Sequence, residues 1–362
     1  MNRLENLPVV VIGTFGHCAS DWLGNLLDSH KQVLITPGLA YFRTLNLLKK
    51  KKINFETFNN TKIISMILKN ILIKSPWESY NCFLTSKKKK KFKEYLKFYL
   101  KKSKEKNVEK KIFLAINFAY AKSNKIDLNK IKVIITHEHT PWNCKYYTQY
   151  FDTKFLFIVR DPRATFAGSF KTFDKYPTFA ESYKMDIVLS FWIAAFNFVL
   201  NYNPKKTYVI KNEKINRNLK PELIKLSKWL GIKFSPSLLK PTHLGKKWYG
   251  DSSYLAKFEL KKSLPKNYYK ESNVKKRWKR YLDKRTILTI EVVLKNIMKK
   301  YNYQPENDLN LRNTFKGYFN LFFSYNNSSS FLREFIGKIK NSIRRIFILL
   351  NHDIARKLFD IN

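Results

Sequence analysis

Three short stretches carry the residue types that could do chemistry. In the first, Gly13-Thr14-Phe15-Gly16-His17-Cys18-Ala19-Ser20-Asp21-Trp22 joins the β-branched run Val9-Val10-Val11-Ile12 to an apolar segment with Trp22, Leu23, Leu26 and Leu27 at helical spacing. A strand, a glycine-bearing turn and a helix together present backbone N–H groups to an anion. Glycine allows close approach, and the helix start adds the positive end of its dipole. In the second, Phe155-Leu156-Phe157-Ile158-Val159 ends in Arg160-Asp161-Pro162-Arg163 and continues through Gly168-Ser169-Phe170. An arginine at a strand's carboxyl end can grip an anion with a bidentate fork. In the third, Ile134-Ile135-Thr136 runs into His137-Glu138-His139-Thr140-Pro141. There a histidine or a carboxylate could move a proton near neutral pH. His137 and His139 would share one side of a strand, but no third ligand accompanies them, so no metal site is expected. Each stretch also has a plain structural reading: an ordinary turn, an Arg160 ion pair with Asp161 or Asp174, and loop hydrogen bonds.

The elements that must position these residues read as an α/β domain. Short, apolar runs at Val9–Ile12, Val33–Ile35, Lys132–Thr136, Phe155–Val159 and Tyr208–Ile210 suit strands covered on both faces. Helical spacing follows most of them, and alternating strands and helices imply a parallel sheet. Asp161 is placed to cap the helix after Arg160, with Pro162 in its first turn. The segment Ser182 to Leu200 reads as a buried aromatic helix, Leu219 to Leu230 as a helix closed by Gly231, and Trp278 to Tyr301 as one basic amphipathic helix or two.

Between about residues 45 and 129 the chain becomes lysine-rich and helical in period. Ile63, Ile64, Ile67, Leu68 and Ile71 mark one apolar face, and Phe92, Tyr95, Leu96 and Tyr99 another. We read this as a helical insertion beside the core. Residues 306–362 read as a basic amphipathic helical tail, with Phe331, Leu332, Phe335, Ile336 and Ile339 at helical spacing. Such a tail can pack on the domain or make peripheral contact with a membrane.

Composition narrows the classes. With 362 residues the chain can bury a full core, and 44% hydrophobic with 16% aromatic residues is globular. Cys18, Cys82 and Cys144 form no CxxC pair, so neither a disulfide framework nor a zinc site is expected. The formal charge of +43 attracts anionic partners. Lysine far outnumbers arginine, however, and Asn, Ile, Phe and Tyr are also abundant, the bias of an AT-rich coding sequence. No finger or RNP strand sits among the lysines, so no specific nucleic-acid partner is expected. No separate signal-like apolar segment precedes the first strand, and the apolar stretches stop short of a membrane span, which makes a cytoplasmic location the expectation.

Taken together, the first two stretches resemble the sulfotransferases that use 3′-phosphoadenosine 5′-phosphosulfate (PAPS). The resemblance implies a three-layer P-loop-type parallel sheet flanked by helices over residues 1–305. It extends to Tyr208-Val209-Ile210-Lys211-Asn212-Glu213, to the helix ending at Gly231, to Gly245–Ser253 and to Trp278-Lys279-Arg280. In that family the first turn and helix, here Gly16, His17, Cys18, Ala19, Ser20, Asp21 and Trp22, bind the 5′-phosphosulfate. The strand-end arginine and the serine-bearing helix, here Arg160 with Gly168 and Ser169, bind the 3′-phosphate. A basic loop before a late tryptophan, here Lys275, Lys276 and Arg277, closes over it.

The resemblance also implies a proton acceptor at a strand end. His137 matches a base found in cytosolic members, Glu138 a base found in others, and His17 stands where the family usually has a cation. The chain departs from the pattern in reading His17, Cys18, Ala19, Ser20 and Asp21 where Lys or Arg, Ser, Gly, Thr and Thr are common. Ser169 falls one residue later than the family's serine. The implied activity is sulfuryl transfer from PAPS to a hydroxyl of a small molecule, glycan or lipid, with the acceptor and the oligomeric state unspecified. Two other classes stay open: a different P-loop nucleotide-dependent transferase or kinase, although GxxxxGK[ST] is absent, and a non-enzymatic binder of polyanions.

Overall fold

In the computed structural model the described residues are 2–13, 17–36, 41–68 apart from 51, 53 and 56, 86–138, 141–175, 185–248 apart from 244, and 277–323. The protein is α/β. Its main sheet has the described strands β1 (Val9–Gly13), β2 (Val33–Ile35), β3 (Val133–Glu138), β4 (Thr153–Val159) and β5 (Thr207–Lys211), in the order β2-β3-β1-β4-β5, and Thr242–His243 pairs antiparallel with Lys246–Lys247 in a separate two-stranded sheet. β1 runs parallel to both β3 and β4, and β2 runs parallel to β3. Every residue of β1, β2 and β3 is buried, as expected of strands covered on both faces. Register sets the carboxyl ends level, because Ile12 pairs with His137 and Gly13 with Glu138.

Helices flank this sheet. The described α-helices are, in chain order, α1 (Asn2–Glu5), α2 (Ser20–Leu27), α3 (Tyr41–Lys50), α4 (Asn60–Met66), α5 (Ser86–Lys102), α6 (Val108–Ser123), α7 (Pro162–Lys175), α8 (Met185–Asn201), α9 (Asn212–Arg217), α10 (Leu219–Leu230), α11 (Lys284–Val293), α12 (Lys295–Lys300) and α13 (Leu311–Phe323). The apolar stripe of α2 is buried as its spacing requires, with Trp22, Leu23, Leu26 and Leu27 inside. In the lysine-rich stretch α5 packs along α6, burying Phe92, Leu96, Tyr99 and Leu100, while its lysines largely face solvent. Asn107 caps α6 by accepting from the Lys110 N–H at 2.8 Å. Gly231 ends α10 in the left-handed conformation that glycine adopts at little cost.

The chain divides into two compact units. The first comprises Met1–Thr14, Ala19–Ile158 and Asn203–Tyr268, and the second Phe15–Cys18, Val159–Tyr202 and Tyr269–Asn362. In the first unit Asp28, at the end of α2, accepts from the Thr242 hydroxyl and the Gly245 N–H, both at 2.8 Å. In the second, Gly317 of α13 lies so close to Val292 of α11 that a Cβ there would sit 2.6 Å from a Val292 methyl. That glycine is a close-approach position between the two helices.

Several boundaries differ from the sequence reading. β3 continues two residues beyond Thr136, which takes His137 and Glu138 into the strand. The long basic segment breaks at Tyr281–Asp283: a 3₁₀ turn over Arg277–Arg280 precedes it, and Asp283 caps α11 by accepting from Thr286 N–H at 2.7 Å. At Lys211-Asn212 β5 passes directly into α9. Of the tail, α13 is described and residues 324–362 lie outside the described residues. Among the described residues no helix is long and apolar enough to cross a membrane.

Candidate functional site

Chemistry-bearing residues gather in each unit. In the first unit β1 ends at Gly13, and α2 begins at Ser20 at the same edge of the sheet as the end of β3. Gly13 is required there, since a Cβ would fall 2.1 Å from the Phe157 ring on β4. Ala19 precedes α2 in the left-handed region, with φ 77°, and offers no side-chain cap. The first helical bond is Leu23 N–H to the Ala19 carbonyl at 3.1 Å.

From this helix start two side chains meet His137. Its Nε2 lies 3.1 Å from the Ser20 hydroxyl, and its Nδ1 lies 3.8 Å from the Asp21 carboxylate. The first separation is a hydrogen bond; the second is an ion-pair distance too long for one. The carboxylate can only accept, so it favours the neutral ring form with the proton on Nδ1. With the proton on Nδ1, Nε2 accepts from the Ser20 O–H; with the proton on Nε2, the Ser20 hydroxyl accepts. Asp21 therefore turns toward the imidazole, which accounts for an acidic side chain at the start of the loop-to-helix segment.

Glu138 is brought somewhere else. Successive strand residues alternate faces, so His137 points one way and Thr136 and Glu138 the other. Glu138 is fully buried and its charge is felt by Cys144 and Tyr147 in the 3₁₀ segment Pro141–Gln149. Burial first, and then Glu138, push the Cys144 thiol and the Tyr147 phenol well above their usual ranges. The two residues read together as proton acceptors thus occupy separate environments. His139 lies outside the described residues.

The second unit joins His17, Arg160 and Gly168. His17 is also left-handed, with φ 47°, and its carbonyl accepts from Arg160 Nη1 at 3.3 Å. Gly168 on α7 faces the His17 side chain, and a Cβ there would stand 3.3 Å from His17 Cβ. Cys18 is buried. Ser169 sits on α7, one position past Gly168; Arg277 belongs to the 3₁₀ turn before α11; Gly16, Lys275 and Lys276 lie outside the described residues.

Behind Arg160 stands a buried network that the sequence reading missed. Asp161 caps α7 by accepting from Arg163 N–H at 2.9 Å, and it also receives the Arg163 guanidinium, at 3.0 and 2.7 Å. Two further donors of Arg163 reach Glu291 at 2.5 Å and the Gln304 carbonyl at 3.0 Å, while its face covers the Trp278 ring. Burial works against this charge, but Asp161 and Glu291 more than offset it and hold the guanidinium's proton more tightly than usual. The plain structural alternative paired Arg160 with Asp161 or Asp174; Asp161 forms an ion pair with Arg163. The signal available in the sequence was the second arginine of Arg160-Asp161-Pro162-Arg163.

The fold is similar to the sulfotransferase domain from the curacin biosynthetic pathway, with a TM-score of 0.49 and 15% identity over 83% of this chain and 99% of that domain. It is likewise similar to the sulfotransferase domain from the Synechococcus PCC 7002 olefin synthase, with a TM-score of 0.46 and 13% identity over 89% of this chain and 97% of that one. No protein-family model and no curated protein matches the chain.

Proposed function

We propose that the chain is a sulfotransferase that takes a sulfuryl group from PAPS and delivers it to a hydroxyl acceptor. One observation carries the reading: Arg160, the strand-end arginine of the second motif, donates to the backbone of His17 in the first, beside Gly168. That bond brings together two stretches far apart in sequence that each resemble an anion-binding motif, which supports the reading.

The residues present fit such a ligand. The left-handed Ala19 puts no capping oxygen at the start of α2, so an anion's oxygens can supply the acceptors that a Ser or Asp cap provides elsewhere. His17, Cys18, Ala19, Ser20 and Trp22 belong to the 5′-phosphosulfate end on this reading, and Arg160 with the Gly168–Ser169 turn of α7 to the 3′-phosphate end. Bound PAPS supplies an activated sulfuryl group for in-line transfer. His137 takes the acceptor hydroxyl's proton at Nε2, the nitrogen whose lone pair faces Ser20. Positioning and charge stabilisation carry most of the rate, as in phosphoryl transfer.

Calorimetry with adenosine 3′,5′-bisphosphate, ATP and a nucleotide lacking the 3′-phosphate tests this. The bisphosphate should bind most tightly, and Arg160→Ala should weaken it about 30-fold or more, the loss expected for a charge-assisted fork. Tight ATP binding without bisphosphate binding would overturn the proposal in favour of a kinase-like activity. Indifference to Arg160→Ala would favour general polyanion binding.

A further inference from the structure

We infer that Asp21 is the positioning residue for His137, holding its imidazole with the proton on Nδ1 and favouring the charged ring once Nε2 has taken a second proton. The functional half of this inference rests on the sulfotransferase reading above; the structural half stands on the geometry alone. Asp21 and Ser20 are adjacent at the start of α2, and they engage opposite nitrogens of one ring: Ser20 Oγ at 3.1 Å from Nε2, and Asp21 Oδ1 at 3.8 Å from Nδ1. A residue that merely filled space at a helix start would not be matched in this way to the two edges of an imidazole.

Asp21 places a carboxylate against the ring. From α2 His137 meets Ser20 and Asp21. Its partner across the sheet on β1 is the apolar Ile12, and β2 stops short, pairing its Ile35 with Ile135. Glu138, next on its own strand, is turned toward Cys144 and Tyr147. His137 is about nine-tenths buried, so the field of a carboxylate across 3.8 Å is only partly screened at the ring, although Asp21 itself is 40% exposed.

Two chemical consequences follow. The fixed tautomer presents the Nε2 lone pair to Ser20 and to any hydroxyl that takes the place of the Ser20 O–H. When Nε2 accepts a proton, the imidazolium forms beside a carboxylate that was there beforehand. The proton comes from the acceptor hydroxyl and rests on Nε2, while the Nδ1 proton does not move.

The test uses the full chain and two variants, Asp21→Asn and Asp21→Glu, with thermal unfolding as the fold check. In ligand-free protein the His137 ring is followed by NMR, its signals assigned by their loss in His137→Gln. Wild type should show the Nδ1–H form when neutral. Asp21→Asn should lower the midpoint of its titration by about 0.5–1 pH unit, and Asp21→Glu should restore most of that. In sulfuryl-transfer assays Asp21→Asn should cut kcat about 10-fold and move the acid limb of the pH profile down with the NMR midpoint. The KM for PAPS should stay level or fall, since an anion near the donor has been removed.

An unmoved NMR midpoint, or an Nε2–H neutral ring in wild type, overturns the inference even if the enzyme transfers sulfate normally. Unchanged kcat with lowered KM also overturns it, because Asp21 would then act only on the donor. If no preparation transfers sulfate but the NMR midpoint moves as stated, the activity reading fails and the coupling of Asp21 to His137 stands.

Discussion

Glu291→Gln is the most demanding perturbation of the second unit. Glu291 is completely buried and its two oxygens accept four hydrogen bonds. Oε1 takes Arg163 Nη1 at 2.5 Å and Glu306 N–H at 2.8 Å; Oε2 takes Asn307 N–H at 3.1 Å and Asn307 Nδ2 at 2.7 Å. Every partner is a donor. A glutamine must therefore turn its NH₂ toward two donors in either amide orientation, losing two bonds and setting hydrogens against hydrogens. Bonds to a charged group contribute about 1.5–3 kcal/mol each, and breaking a buried pair by removing one partner costs about 3–5 kcal/mol. These terms overlap, so the expected loss is about 3–5 kcal/mol, a large share of the roughly 5–15 kcal/mol that holds a domain folded. Urea unfolding followed by circular dichroism reads it as a lowered midpoint at unchanged slope. A change below about 1 kcal/mol would refute the reasoning. It would mean that the network around Arg163 is solvated or rearranged, and that α7 is not anchored behind Arg160 in the way described.

Two smaller predictions concern the first unit. Ala19→Gly should raise stability by about 0.5–1 kcal/mol in urea titrations, because the left-handed conformation at φ 77° costs alanine about 1–2 kcal/mol and glycine's extra unfolded freedom returns part of it; destabilisation would count against a left-handed Ala19. His30 is held neutral by geometry, with Nε2 donating to the Lys233 carbonyl at 2.8 Å and Nδ1 accepting from Gln32 N–H at 3.2 Å, and burial lowers its pKa with the carbonyl bond opposing. A lowered histidine pKa gives stability that is full above the unfolded value near 6.5 and is lost as pH falls through the folded value. The melting temperature should therefore drop between pH 7 and pH 5, and His30→Asn should flatten that slope; an equal slope in both proteins would remove His30 as the cause.

Much of the sheet was legible because its strands are short apolar runs, whose burial needs no information from distant residues. The runs Val9–Ile12, Val33–Ile35 and Phe155–Val159 announce themselves in this way, within strands that reach Gly13 and begin at Thr153, as does the stop at Gly231. The end of β3 was not legible, because His137 and Glu138 are polar residues in strand positions and polarity alone marks a strand's end. Their opposite directions follow from the pleat once the strand is known to reach them. The neighbour of Asp21 was not legible for a related reason: a side chain's direction from a helix start depends on what the neighbouring strand brings opposite, here His137. The Arg163 network joins residues more than a hundred positions apart, and no local pattern encodes such a meeting.

The bond from Arg160 to the His17 carbonyl changes what the unusual residues of the loop signify. Arg160 grips the main chain, so the tie is indifferent to the side chain at position 17. What position 17 must supply is a carbonyl aimed at the guanidinium, and the left-handed turn at φ 47° provides it. A histidine where a permanent cation is expected therefore leaves this fastening intact, with the charge at the joint coming from Arg160. Gly168 completes the joint from α7, since the space a Cβ would need there is bounded by the His17 side chain. Arg160 then has two duties that one substitution removes together: holding the loop and, on the proposed function, gripping a phosphate. A side chain that keeps the charge but not the fork separates them. Arg160→Lys retains attraction for an anion as a point charge but loses the guanidinium's geometry. If both duties are real, bisphosphate binding should fall less in Arg160→Lys than in Arg160→Ala, while hydrogen exchange around Cys18 rises in both.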